Sequence, residues 1–293
     1  MEVAQLRYAL AVADRGSFTA AAQQCFVSQP SLSQAIKSLE RELGVELFAR
    51  SGRPVRPTAA GEAFVRSARV ALRAFDSIGN EVALVVGLMA GHLDLVALPT
   101  LALDPVAAMV GAFRTRHPGV VVRLAHPEGT DDLLRAVRVG DSEVGVTEAP
   151  PSGVTIDGLT VRWLGRQELV VVLPPDSAID STISADQLAD MAIVAQPRGT
   201  STRTLLDGVL AAVGRSADVV VETDQRDAVV PLVLAGAGVA LLPLPMAQRA
   251  ALQGARTARV AGGLFRDLAI VHRTADLSPA AAAFVEFVSA TTV

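Results

Sequence analysis

The chain has 293 residues, of which 51% are hydrophobic, 19% charged and only 4% aromatic. That composition builds packed cores of Ala, Val and Leu over two or three domains and excludes a charge-rich disordered chain. The formal net charge of −4 is uneven: residues 1–90 hold ten basic and eight acidic side chains, residues 91–293 sixteen and twenty-two. A wholly basic nucleic-acid binder is therefore excluded, but a small basic module on an acidic body is not. No apolar run approaches the roughly 20 residues of a membrane span. The first residues lack the pattern of a signal peptide, so a soluble cytoplasmic protein is expected. Cys25 is the only cysteine and the four histidines are scattered. That pattern speaks against a disulfide, a cysteine-pair redox switch or a structural metal, and no cofactor is expected.

The first sixty residues read as short helices with tight joints. Ser17 is placed to cap a helix over 18–25, and Ser28 one over 29–39 with Pro30 in its first turn. Leu32, Ile36 and Leu39 share one face of the second helix, and Ser33, Gln34 and Lys37 the other. Gly44 ends it. Two short helices in this order, the second polar on its outside, make a helix-turn-helix whose second helix enters the major groove. Gln29, Ser33 and Gln34, beside Pro30, carry groups that pair with base edges. Ser28, Ser31 and Lys37 suit phosphates. Arg50, Arg53 and Arg56 recur on a proline-bracketed loop, a basic wing for the DNA backbone or minor groove.

From residue 58 to about 86, Gly61, Phe64, Ala68, Ala71, Phe75, Ile78, Val82 and Val85 recur at alternating spacings of 3 and 4. That seam predicts a long dimerising helix; the alternative is one amphipathic helix packed on its own domain. From residue 92 strands alternate with helices. Strands are expected at 93–98, 120–125, 144–147, 169–173, 192–195, 219–221, 239–242 and 268–271. Helices are expected at 104–117, 130–139, 202–213, 227–235 and 279–290. The rhythm implies parallel sheets covered by helices, in two α/β lobes with a break near 162–166. No nucleophile elbow, phosphate loop or metal motif is present, so the chain reads as no enzyme.

The N-terminal stretch from Leu6 to Phe64 closely resembles the LysR-type transcriptional regulators. The resemblance runs through the whole helix-turn-helix to Leu47-Phe48-Ala49-Arg50 and Thr58-Ala59-Ala60-Gly61-Glu62. It continues more loosely at Leu98-Pro99-Thr100, His117-Pro118-Gly119, Leu173-Pro174-Pro175-Asp176, Leu234-Ala235-Gly236-Ala237-Gly238 and Leu242-Pro243. It implies an α/β fold of three parts. A winged helix-turn-helix covers 1–58, a linker and dimerisation helix 59–90, and a two-lobed, periplasmic-binding-protein-like effector domain 91–293. Lobe I takes about 91–162 and 266–293, lobe II about 163–265. The implied partners are double-stranded DNA bearing an inverted repeat, a small-molecule effector, and further copies of the chain in a homodimer or homotetramer.

Ligands of open α/β lobes sit beyond the carboxyl ends of strands. Thr100 and Thr147 end strands, and Thr130 and Thr202 start helices near Gly129 and Gly199, where hydroxyls and free N–H groups suit a small anion or carboxylate. The resemblance favours Thr100, with Leu101, and the segment Thr200, Ser201 and Thr202. Arg198 and Arg203 are placed to add charge, and Asp224 is a weaker candidate. A rival reading keeps the small-molecule module and gives the N-terminal helices protein contacts only; the basic wing and the Ser28–Lys37 helix argue against it.

Overall fold

Leu6, Ala9 and Val12 fall on one helical stripe, and all three are buried. In the computed structural model, which describes residues 1–49, 54–85, 90–151, 154–275 and 277–291, they belong to α1 (Val3–Arg15). None of the helices expected from the sequence covers it. α2 (Phe18–Gln24) and α3 (Gln29–Leu43) follow. Ser17 Oγ accepts from the Ala20 amide, and Ser28 Oγ from the Ser31 amide at 3.2 Å. α3 continues past residue 39 to the expected stop, Gly44, which takes the left-handed conformation (φ 71°) that a helix C-cap favours. Ala9, Val12, Leu32, Ile36, Leu39 and Phe48 form the core of this unit. β1 (Phe48–Ala49) and β2 (Arg56–Pro57) pair antiparallel as the base of a hairpin. Arg50 and Arg53 lie outside the described residues.

α4 (Ala59–Val85) is the long helix. Its start is pressed onto the N-terminal unit: a Cβ on Gly61 would meet the Leu47 carbonyl oxygen at 1.9 Å. Ala68 is buried with Leu6 and Leu72, and Phe64 packs on the same cluster. This corrects the dimerisation seam at Ala68, which is buried against α1 of its own chain; Phe64 packs there too and stays half-buried. Ala71 and Phe75 are exposed. Of Ile78, Val82 and Val85 only the helical backbone is described.

The first lobe is built from β3 (Ala90–Ala97), α5 (Pro99–Leu101), a π-helical turn (Ala102–Val106), α6 (Ala107–Arg116), β4 (Gly119–Ala125), α7 (Thr130–Val139) and β5 (Val144–Glu148). β6 (Leu159–Leu173) leads into the second lobe. That lobe adds β7 (Thr182–Ile183), α8 (Ala185–Ala189), β8 (Ala192–Ala195), α9 (Ser201–Ala211), β9 (Asp218–Glu222), α10 (Arg226–Leu234), β10 (Ala240–Pro243) and α11 (Leu244–Leu252). β11 (Arg256–Arg273) returns, and α12 (Pro279–Thr291) packs back on the first lobe.

The main sheet has the order β10-β6-β11-β5-β3-β4. β3 runs parallel to β4 and β5, as the alternation implied. β11 is antiparallel to both β5 and β6, and β10 is antiparallel to β6. The expectation of parallel sheets is corrected there: a chain that leaves one lobe and returns lays its outgoing and returning strands side by side in opposite directions. β6 runs unbroken as a strand through 162–166, with a register shift against β11 at Trp163/Gly165, and the lobes divide just beyond this point. Leu164 and Leu268 pack in the first lobe's core, Leu169 and Val260 in the second's.

The helix expected over 104–117 is also corrected. Asp104 is extended (φ −157°, ψ 122°), and regular helix begins at Ala107. The residue before a proline is pushed out of the helical region, and Pro105 follows Asp104. No described helix is long and apolar enough to cross a membrane.

Candidate functional site

Two surfaces bring the expected functional residues together. The first is the outer face of α3. Its inward positions Leu32, Ile36 and Leu39 are buried, which turns Ser28, Gln29, Pro30, Ser31, Gln34 and Lys37 outward and leaves Ser33 half-buried. Ser28 Oγ and Ser31 Oγ lie 2.7 Å apart, and Gln29 Nε2 donates to Ser33 Oγ at 2.8 Å. These outward hydroxyls and amides are thus preordered by one another. Arg56 is exposed on β2, at the base of the hairpin.

The second surface lies between the lobes. Thr100, Thr130, Thr200, Ser201 and Thr202 line one small space with Glu128, Gln196 and Arg226. Its volume is about 20 Å³, room for about one water. Helix starts create it: α7 begins at Thr130 after Gly129, and α9 begins at Ser201 after Thr200. None of these threonines caps its helix through the side chain. Thr200 Oγ1 donates to the Pro197 carbonyl, and Thr202 Oγ1 is buried with no partner among the described residues. Arg226 Nε is likewise buried and unpartnered, and burial pushes the Arg226 pKa down.

Two expected residues are elsewhere. Leu101 is fully buried in the core of the first lobe, because the inward side of the α5 turn faces the sheet. Thr147 is buried opposite Ala269 on β11, outside the cleft. Arg203 is not free to meet a ligand: it is 5% exposed and bound to Asp207 and Glu222 within the second lobe. Arg198 and Asp224 are exposed and do not line the cleft.

The group that ties the lobes together was missed in the sequence. Arg266 on β11 is 4% exposed. Its Nη2 donates to Thr100 Oγ1 at 2.9 Å and to Gln167 Oε1 at 2.5 Å, and its Nε to Gln167 Oε1 at 2.9 Å. Its Nη1 donates to Ser201 Oγ at 2.6 Å and reaches Glu148 Oε1 at 3.5 Å. Ser201 Oγ in turn donates to Glu148. Gln167 Nε2 donates to Asp104 Oδ2 at 2.9 Å, a contact available because Asp104 is extended. Burial pushes the Arg266 pKa down, and the Glu148 carboxylate opposes that shift. The available signal was strand alternation: Leu264, Arg266 and Leu268 share the inward side of β11.

A larger cavity, about 720 Å³, opens beside the crossing strands, walled by Ala108, Met109, Phe265 and Phe287 among others. No expected effector residue lines it.

The comparisons agree with this division. Residues 3–62 match the family model of the bacterial regulatory helix-turn-helix protein, lysR family, and residues 87–292 that of the LysR substrate binding domain. The chain is 32% identical over 246 residues to the HTH-type transcriptional regulator IlvR of Caulobacter vibrioides, covering 83% of this chain and 82% of that one. It is also 32% identical to the probable regulator LrrA of Synechococcus elongatus, covering 83% and 81%. Among solved structures it is similar to CbnR, a LysR family transcriptional regulator, at 25% identity, full coverage of both chains and a TM-score of 0.72. The likeness holds for full-length CbnR complexed with its target DNA, at 25% identity, a TM-score of 0.71 and coverage of 99% and 100%. The chain therefore belongs to the LysR family: it is a transcriptional regulator, not an enzyme, that joins a DNA-binding helix-turn-helix to an effector-binding domain.

Proposed function

We propose that the protein reads a specific DNA site with α3, assembles as a homodimer or homotetramer through α4, and is switched by a small anion held between its lobes. Gln29, Pro30, Ser33 and Gln34 meet base edges, while Ser28, Ser31, Lys37 and Arg56, with Arg50 and Arg53 of the wing, hold the backbone. Two-fold assembly pairs with an interrupted inverted repeat. The protein acts in the cytoplasm, where such DNA lies.

The observation that carries the effector reading is the pair of buried, unpartnered groups at the cleft, Thr202 Oγ1 and Arg226 Nε. Buried polar atoms are ordinarily paired, and an anion at the start of α9 completes both while meeting the positive end of the helix dipole. Because the cleft holds only about one water, a larger effector parts the lobes. That shift changes the balance of subunit arrangements and the spacing of the DNA-binding units.

Calorimetry with acetate, benzoate, succinate, sulfate and phosphate tests the site. Thr202→Ala is expected to weaken the anion that binds by about 1.5–3 kcal/mol, roughly tenfold or more. Equal affinity in the variant rejects the placement. On DNA, using the fragment upstream of the protein's own gene, Gln34→Ala is expected to relax preference at one base pair by about 1–3 kcal/mol. Arg56→Ala is expected to weaken all sequences alike and to lower the salt slope by about 1. An Arg56→Ala protein with altered sequence preference and an unchanged slope contradicts this division of roles.

A further inference from the structure

The cleft is nearly full, and what fills it belongs to the protein. Arg266 has five N–H groups, and acceptors occupy all five: Gln167 twice, Thr100, Ser201 and Glu148. Three of those residues are neutral. Glu148 alone carries charge, and its contact is the longest, at 3.5 Å. It stands at the end of β5 in the first lobe, while Ser201 stands at the start of α9 in the second. The Ser201–Glu148 hydrogen bond therefore spans the gap.

We propose that Glu148 is the cleft's resident anion: its carboxylate holds the place on Arg266 and Ser201 that an anionic effector takes, and the effector binds by displacing it. This rests on the reading of the cleft as an anion site. Once Glu148 leaves, one Arg266 Nη1–H and the Ser201 O–H are free together, beside the unpartnered Thr202 hydroxyl. Two parallel or forked donors of this kind fit a carboxylate, sulfate or phosphate. Glu148, 28% exposed, can turn to water as the lobes part. The resident carboxylate then sets which effectors enter, since each must outcompete an anion already tethered in place. A neutral ligand of the same shape gains no guanidinium partner and leaves Glu148 where it is.

The test is calorimetry on the full chain, at fixed ionic strength, with acetate, benzoate, succinate, sulfate and phosphate. Glu148→Gln keeps the shape and removes the charge. If the resident contact is made about nine times in ten, abolishing it raises the apparent affinity for an anion about tenfold. Where Gln fails to fold, Glu148→Asp withdraws the carboxylate by one methylene and carries the same expectation. Tighter anion binding by either variant, including binding that the parent does not show, supports the proposal. An anion that binds parent and variant equally, or the variant more weakly, overturns the resident-anion role and leaves the anion site standing. No binding by parent or variants overturns both.

Discussion

A Phe75→Asp protein is expected to sediment as a smaller species than the parent and to bind its operator about 10²–10⁴-fold more weakly. α4 has 27 residues, a rod of roughly 40 Å, and α1 of its own chain packs on its first part. Gly61, Phe64 and Ala68 are used up on Leu47 and α1. Phe75, on the same stripe, is 50% exposed. An aromatic ring left half in water on a helix of this length is where a second copy gains apolar contact. At a two-fold seam the substituted residue enters from both copies. A carboxylate buried there without a partner costs several kcal/mol. DNA affinity falls with assembly because two half-sites are no longer held together. Phe75→Leu keeps the apolar contact and is expected to keep both properties. If Phe75→Asp retains its helix content and sediments like the parent, the seam is not at this position.

What the sequence made legible follows from how local each signal is. Ser17, Ser28 and Gly44 announce helix ends within a turn of themselves, so α2 and the start and stop of α3 could be read directly. Thr130 and Thr202 were found for the same reason, as residues at helix starts, Thr200 and Ser201 through the family resemblance, and the fold brings them to one cleft with Thr100. The crossing strands were illegible over most of their length. Arg162, Arg166, Glu168, Gly262 and Gly263 break the apolar pattern where β6 and β11 pass between the lobes. α11 was overlooked although Pro245 stands in its first turn, a start signal. Arg266 was overlooked because its partners are remote: Gln167 is 99 residues away and Thr100 is 166. A charged residue in a strand reads as solvent-facing until the lobes close over it. The reverse error befell Arg203, which seemed free in sequence and is bound by its own helix and strand.

Arg266→Met is expected to destabilise the effector domain by an amount toward the lower end of the roughly 3–5 kcal/mol seen when one partner of a buried ion pair is removed. The guanidinium stays charged in the folded protein despite its burial, since arginine does not give up its proton at ordinary pH. Its burial is itself a cost, which the five hydrogen bonds offset. Removing it strands Gln167 Oε1 in the interior and leaves the Thr100 and Ser201 hydroxyls each short of a donor. Glu148 suffers less, because its side chain is 28% exposed and can take up water, which is why the lower end applies. For a domain of about 200 residues, each kcal/mol shifts the melting temperature by roughly 2–4 °C, so a fall of the order of 6–12 °C is expected in calorimetry. Replacing both members of the pair separates the causes. Arg266→Met with Glu148→Leu removes the stranded charge as well, and a well-packed apolar pair is often as stable as the ion pair it replaces. The double variant is expected to recover part of the loss, giving a coupling energy between the two sites beyond the sum of the single changes. If Arg266→Met alone melts at the parent's temperature, the lobes are held together by their other contacts and Arg266 is not what joins them.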